Sequence, residues 1–304
     1  MKKIILLFVC LLWGAVSVRA ELIDSDGQPV RLVKELLRLT NIKHDGTLDS
    51  IVAQTQRSQQ DGGWLRAPGK ERWEVAEVSF GERTTEIVSY IRALGCCDEV
   101  RPTKKQYRYA LIFGATVSRV YDRLVYLQEL MEQGVSFDEL VLLGGKRQLD
   151  PQIESAELVG HCISGGSESS KLVLPTTEGA MMQYLFEHST ALAFMRSVHP
   201  RAQLVDAPMI KNPDGSERRP TTGDTIMAWL ATNPEPGDCV LVSNNPYIGY
   251  QDSVARTYIT KKPWVIETVG RAASAQERMS MYLDTMARWL YQERERYKRT
   301  SQGT

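Results

Sequence analysis

The residues with chemistry to offer in this 304-residue chain gather at the ends of short apolar runs. One run closes in Gly114-Ala115-Thr116-Val117-Ser118-Arg119 and a second in Gly144-Gly145-Lys146-Arg147. Two more close in Asp206-Ala207-Pro208 and in Ser243-Asn244-Asn245-Pro246-Tyr247. Glycine lets a ligand approach the main chain, and the free N–H groups of a following helix present themselves to an anion. Lysine and arginine add charge for a phosphate or carboxylate. The candidate ligand-binding residues are accordingly Gly114, Thr116, Arg119, Gly144, Gly145, Lys146, Glu178, Thr225, Ser243 and Asn244. Glu178 and Asp206 are the candidates for a general base, a role that needs access to the reacting group and often a raised pKa. Plainer readings stand beside these. Gly114 suits simple turn geometry, Thr221-Thr222-Gly223-Asp224-Thr225 is an N-cap signal, and Arg119 and Arg123 have Asp122 and Glu129 at hand as surface partners.

Other chemistries find no support. The chain has no GxSxG, P-loop, GxGxxG or HExxH pattern. His44, His161, His188 and His199 all lie away from the ends of the apolar runs, which leaves a histidine-dependent triad without a base. No CxxC or Cys/His spacing suggests zinc, and adjacent His161 and Cys162 cannot face one metal from a regular element. No metal site is expected, and no pattern names a cofactor.

The elements that must position these residues follow from the same runs. Tyr109–Gly114, Glu139–Gly145, Gln203–Ala207, Asp238–Asn244 and Trp264–Val269 read as strands buried on both faces. Helical patterns intervene at Val117–Met131, 177–188, 221–231 and 247–258, with a long one from about 274 to 297. Continuous apolar strands alternating with helices imply right-handed crossovers in a parallel sheet. The expected fold is α/β, a doubly wound, mostly parallel, Rossmann-like sheet over 104–304. A helical region at 21–103 precedes it, with helices at 30–40, 47–56 and 84–94. In such sheets ligands bind beyond the carboxyl ends of the strands, where strand order reverses.

The first twenty residues read differently. Lys2 and Lys3 precede an uncharged apolar stretch from Ile4 to Val18, and Val18-Arg19-Ala20 offers small residues at a cleavage site, so 1–20 is a signal peptide by pattern. The stretch is short for a bilayer span, which takes about 20 residues. A periplasmic protein is expected, the alternative being an inner-membrane anchor formed by residues 4–18. Cys96, Cys97, Cys162 and Cys239 would then meet an oxidising compartment. Adjacent Cys96 and Cys97 would each need a distant partner, while Cys239 reads as a plain buried thiol. The full chain balances 37 basic against 37 acidic residues; without its first twenty it carries 34 and 37, a net charge of −3. That excludes a general nucleic-acid binder and makes any affinity for anions local. The basic end of the last helix, at Arg288, Arg294, Arg296, Lys298 and Arg299, is diluted by Glu293 and Glu295. It reads mainly as a solvated face, with weak contact with an anionic membrane surface as the alternative.

The order of these blocks resembles the bacterial envelope family typified by SanA, ElyC and YdcF. Leu111-Ile112-Phe113-Gly114, the helix carrying Arg119 and Arg123, Leu143-Gly144-Gly145, Thr177-Glu178-Gly179-Ala180, Asp224-Thr225 and Leu241-Val242-Ser243 stand in the family's order over roughly residues 108 to 260. Met227 and Ala228 replace a Glu and an Asn of its pattern, and Pro246-Tyr247 and Gln251 stand near its His and Arg. The resemblance implies a Rossmann-like fold, an envelope role and nucleotide or lipid-carrier ligands. Together these readings point to an exported protein that binds a phosphorylated or nucleotide-like small molecule in support of envelope biogenesis or barrier function. The alternatives are a hydrolase or transferase acting on such a ligand, or a non-catalytic scaffold.

Overall fold

The computed structural model describes residues 21–70, 74–164, 175–260 and 263–302, and the signal peptide expected at 1–20 lies outside them. Five strands form one parallel sheet: β1 (Gln106–Phe113), β2 (Ser136–Gly145), β3 (Gln203–Ala207), β6 (Asp238–Asn244) and β7 (Val265–Arg271). Their order is β3-β2-β1-β6-β7. Phe113 pairs with Leu143, Ile112 with Val242, Gly145 with Ala207 and Asn244 with Arg271, so the carboxyl ends share one edge. The chain walks outward from β1 to β3 and then returns to the other side of β1. Strand order therefore reverses between β1 and β6. This is the doubly wound fold expected from the alternation of apolar runs and helices.

The pleat divides the core. Ala110 and Ile112 of β1 face one layer, with Leu124 and Leu127 of α4 (Val117–Glu132) and Met182 and Leu185 of α6 (Glu178–His188). Tyr109, Leu111 and Phe113 face the other, with Ile226 and Trp229 of α8 (Thr222–Leu230) and Val254 and Ala255 of α9 (Ile248–Tyr258). A parallel sheet covered by helices on both faces buries nearly every strand residue, which is why β1 and β2 read as unbroken apolar runs. Three pieces carry no such signal: α5 (Ala156–Ser164), α7 (Ala193–Val198), and the two-residue strands β4 (Ile210–Lys211) and β5 (Glu217–Arg218), which form a small hairpin between β3 and α8.

The amino-terminal helices α1 (Arg31–Leu39), α2 (Leu48–Thr55) and α3 (Thr84–Ala93) do not form a core of their own. Val33, Leu36, Ile51, Ile87 and Ile91 pack with Met279, Leu283, Met286 and Leu290 of α10 (Met279–Gln302). The last helix begins at Met279 rather than near 274; Ser274 to Arg278 form its approach, where Glu277 N–H donates to Ser274 O.

All four described cysteines are free and buried. Cys162 and Cys239 belong to opposite faces of the sheet, and Cys96 and Cys97 to the α10 cluster, where Cys96 Sγ meets Met286 Sδ at 3.6 Å. Burial pushes the Cys162 thiol up to about 11 and the Cys239 thiol to about 12, so neither is a reactive thiolate.

Candidate functional site

A cleft of about 710 Å³ opens at the carboxyl edge of the sheet, roofed by the approach and first turns of α10. Gly114, Ala115 and Thr116 enter it from the loop after β1, Arg147 from the loop after β2 and Glu178 from the start of α6. Arg219 to Thr222 come from the segment before α8, and Tyr247 and Gln251 from α9. The first turns of α4, α6 and α8 all reach it. Thr221 caps α8 in a reciprocal pair with Asp224, and Thr177 caps Ala180 N–H in α6, whereas the amino end of α4 at Thr116 has no side-chain cap. Helix amino ends offer N–H groups and the positive end of the helix dipole to an anion.

The cleft is dominated by guanidinium groups. Arg119, Arg123, Arg147 and Arg219 line it from the sheet side, and Arg66, Arg278 and Arg288 from the amino-terminal region and α10. Glu178 and Glu277 are the acids on its wall among the described residues, with Glu154 and Asp284 behind. Each acid fixes an arginine. Glu154 grips Arg147 through two bonds of 2.7 and 2.9 Å. Asp284 holds Arg288 at 3.0 and 3.3 Å and lies 3.5 Å from Arg66. Glu277 meets Arg119 at 3.3 Å, and the Arg119 guanidinium sits 4.8 Å from the Tyr247 ring centre. Seven arginines against four carboxylates leave an excess of positive charge, oriented in advance by its own acids. Planar forks held in this way suit the oxygens of a phosphate or carboxylate.

Arg123 has a different task. It is 2% exposed and lies where strand order reverses. Its Nη1 donates to Phe113 O at 2.7 Å and Gly114 O at 3.2 Å, and its Nε and Nη2 donate to Asn244 Oδ1 at 3.0 and 2.8 Å. The guanidinium thus ties the ends of β1 and β6 together.

Of the residues expected at the site, Gly114, Thr116, Arg119 and Glu178 come together in the cleft. Gly114 lies close to Glu178: a Cβ there would lie 2.8 Å from the Glu178 carboxyl carbon. Burial pushes the Glu178 carboxyl above the usual carboxylate range, against the pull of Arg147, whose Nη2 is 3.4 Å from it. Ser243 and Asn244 line an adjoining recess of about 320 Å³ that shares Ser118, Arg119, Arg123 and Glu277 with the cleft. There they are structural supports. Ser243, 1% exposed, donates its hydroxyl to Gln251 Oε1, and Asn244 Nδ2 donates to Asn245 O at 3.1 Å.

Gly144, Gly145, Lys146, Asp206 and Thr225 do not line the cleft. The two glycines are used for packing: a Cβ on Gly144 would come within 2.7 Å of Gly179 Cα, and one on Gly145 within 2.4 Å of Pro220 Cγ. Lys146 is exposed, with its N–H bonded to Ala207 O at 2.9 Å. Asp206 Oδ1 lies against Gly179, buried and without a hydrogen-bond partner. Thr225 is buried with its hydroxyl on Thr222 O at 3.0 Å.

Of the arginines that complete the cleft, Arg66, Arg219 and Arg278 drew no attention in the sequence. Arg147 stood out only as a possible source of charge, Arg123 as a surface charge and as part of the block order shared with the SanA, ElyC and YdcF family, and Arg288 as part of the basic end of the last helix. No spacing unites residues 66, 147, 219, 278 and 288; the winding of the sheet and the return of α10 do. Among the described residues no group of three or more His, Cys, Asp or Glu is placed to hold a metal ion. The fold and site define a doubly wound α/β protein with a cationic cleft at the carboxyl edge of its sheet. No protein-family model, curated protein or solved structure matches the chain.

Proposed function

We propose that this chain is an exported Rossmann-like protein that binds a phosphorylated or nucleotide-like small molecule in the arginine cleft and serves cell-envelope biogenesis or barrier function. The observation that carries the binding role is the set of six arginines, Arg123 apart, converging on the carboxyl edge of the sheet beside three helix amino ends. A fold of net negative charge that concentrates guanidinium groups in one cleft has a local use for them. Export rests on the leader pattern at 1–20, and the alternative of an anchor at residues 4–18 rests on the same stretch. No helix among the described residues is long and apolar enough to cross a membrane. The envelope role rests on the block order shared with the SanA, ElyC and YdcF family.

Calorimetric titration of the purified protein with pyrophosphate, ADP and undecaprenyl phosphate tests the binding role. At least one should bind, and Arg119→Ala should weaken it about tenfold, the usual order for a hydrogen bond to a charged group. Silence with all three overturns the reading. A deletion strain with unchanged permeability to a hydrophobic dye removes the envelope part.

A second reading, hydrolysis or group transfer on such a ligand, is favoured by Glu178. Its carboxyl lies in the cleft with its pKa raised by burial, the direction in which general acid–base catalysis moves a carboxyl group. Asp206, the other candidate base, lies outside the cleft. Phosphate release from ADP that disappears in Glu178→Gln while ADP affinity persists would establish this reading.

A further inference from the structure

Beside the arginine cleft lies a second chamber of about 280 Å³. Thr221, Tyr250 and Arg288 line both spaces, so the two adjoin. The chamber's walls are of another kind. Tyr250, Tyr258 and Tyr291 give it aromatic surface, Gln56 and Gln292 bring carboxamides, and among the described residues Val254 is its one aliphatic side chain. These groups are held in place. Gln56 Nε2 donates to Ala287 O at 2.8 Å and Gln292 Nε2 to Thr257 Oγ1 at 2.7 Å. Tyr258 packs against Gly223 in the first turn of α8, where a Cβ would lie 2.5 Å from its ring. The guanidinium of Arg299 stands 5.6 Å from the Tyr258 ring centre and that of Arg294 4.9 Å from the Tyr291 ring centre, cation–π contacts that steady both rings.

Tyrosine faces favour a flat, polarisable ring and tolerate its polar edges. A wall of phenols, carboxamides and a hydroxyl gives a hydrocarbon tail little to pack against, so the chamber does not suit the chain of a lipid carrier. Arg288, clamped by Asp284, stands between the aromatic and the cationic space. It is placed for the junction between a ring and its phosphates. We infer that the site takes a nucleoside diphosphate, with the nucleobase in the tyrosine chamber and the phosphates in the arginine cleft. This rests on the reading of the cleft as a phosphate site and adds to it the chemistry of the remainder of the ligand.

Titration of the purified protein with pyrophosphate, ADP, UDP and glucose 1-phosphate tests the inference. ADP or UDP should bind roughly tenfold more tightly than pyrophosphate, the order that one stacked base contributes. Tyr258→Leu and Tyr291→Ala should each remove most of that advantage and leave pyrophosphate affinity unchanged. Tyr291 is 41% exposed, so its replacement does not put folding at stake. Equal affinity for nucleotide and pyrophosphate overturns the chamber's role and leaves the cleft standing. A preference for glucose 1-phosphate over both nucleotides overturns the nucleobase in favour of a sugar. Silence with all four ligands overturns the cleft itself.

Discussion

Glu178 is the residue through which a proton would assist the binding of an anion in the proposed site. Its carboxyl is raised by burial although Arg147 opposes the shift, so the folded protein favours the protonated form more than the unfolded chain does. That contribution to stability is present below the unfolded pKa and fades as pH rises through the folded one. A bound phosphate pushes the same pKa higher by like-charge repulsion. Binding is therefore accompanied by proton uptake, and affinity falls as pH climbs through the folded pKa of Glu178. Glu178→Gln, which keeps the shape and removes the titration, should flatten that dependence. Calorimetry of pyrophosphate binding in buffers of different ionisation enthalpy reads the effect, and a proton uptake unchanged in the variant would contradict it. Arg123 marks the limit of sequence reading at this scale. Its neighbours Asp122 and Glu129 made a surface ion pair the natural expectation. It is instead drawn inward by two main-chain carbonyls and the Asn244 side chain.

At the scale of elements, helix α6 sits unusually close to the sheet. Gly144 in β2 and Gly179 in α6 face each other so tightly that a Cβ on Gly144 would come within 2.7 Å of Gly179 Cα and 3.0 Å of Met182 Sδ. This closeness brings the first turn of α6, and Glu178 with it, to the loop after β1. Gly144→Ala should push α6 outward and cost about 1–3 kcal/mol, the usual range for overpacking against groups that cannot move aside. Denaturant unfolding measures it, and a variant as stable as the parent would contradict the packing described. The strands were legible because burial on both faces removes polar alternation. β3 and β6 run over the residues expected, and β1, β2 and β7 differ only at their ends. The glycine pair was legible as something special, but glycine after a strand looks alike whether a ligand or a helix comes close. The short pieces α7, β4 and β5 escaped because a few residues define no period.

For the whole molecule, α10 is the element on which both halves depend. Met279, Leu283 and Met286 complete the core of the amino-terminal helices, while Arg278, Met281 and Arg288 line the cleft. Folding of the 21–103 region and formation of the cleft are thus one event. Met286→Ala, which empties a fully buried position against Cys96, should cost about 2–5 kcal/mol and lower a single unfolding transition. Two separate calorimetric transitions would contradict that unity. The basic end of α10 is largely spoken for within the chain: Arg294 and Lys298 reach Asp49, Arg296 reaches Glu293, and Arg299 lies over Tyr258. This favours a solvated face over lipid contact.

The pairing of Arg66 with Asp284 spans 218 positions of the chain. Asp284 is synthesised long after Arg66, and Arg288 follows later still. Everything made earlier, strands and glycines included, lacks the roof of the cleft. A growing polypeptide therefore lacks the complete cleft wherever synthesis takes place. The cleft is complete only once α10 has folded back onto the amino-terminal helices, so the compartment in which the chain folds is the compartment whose small molecules first meet the whole cleft.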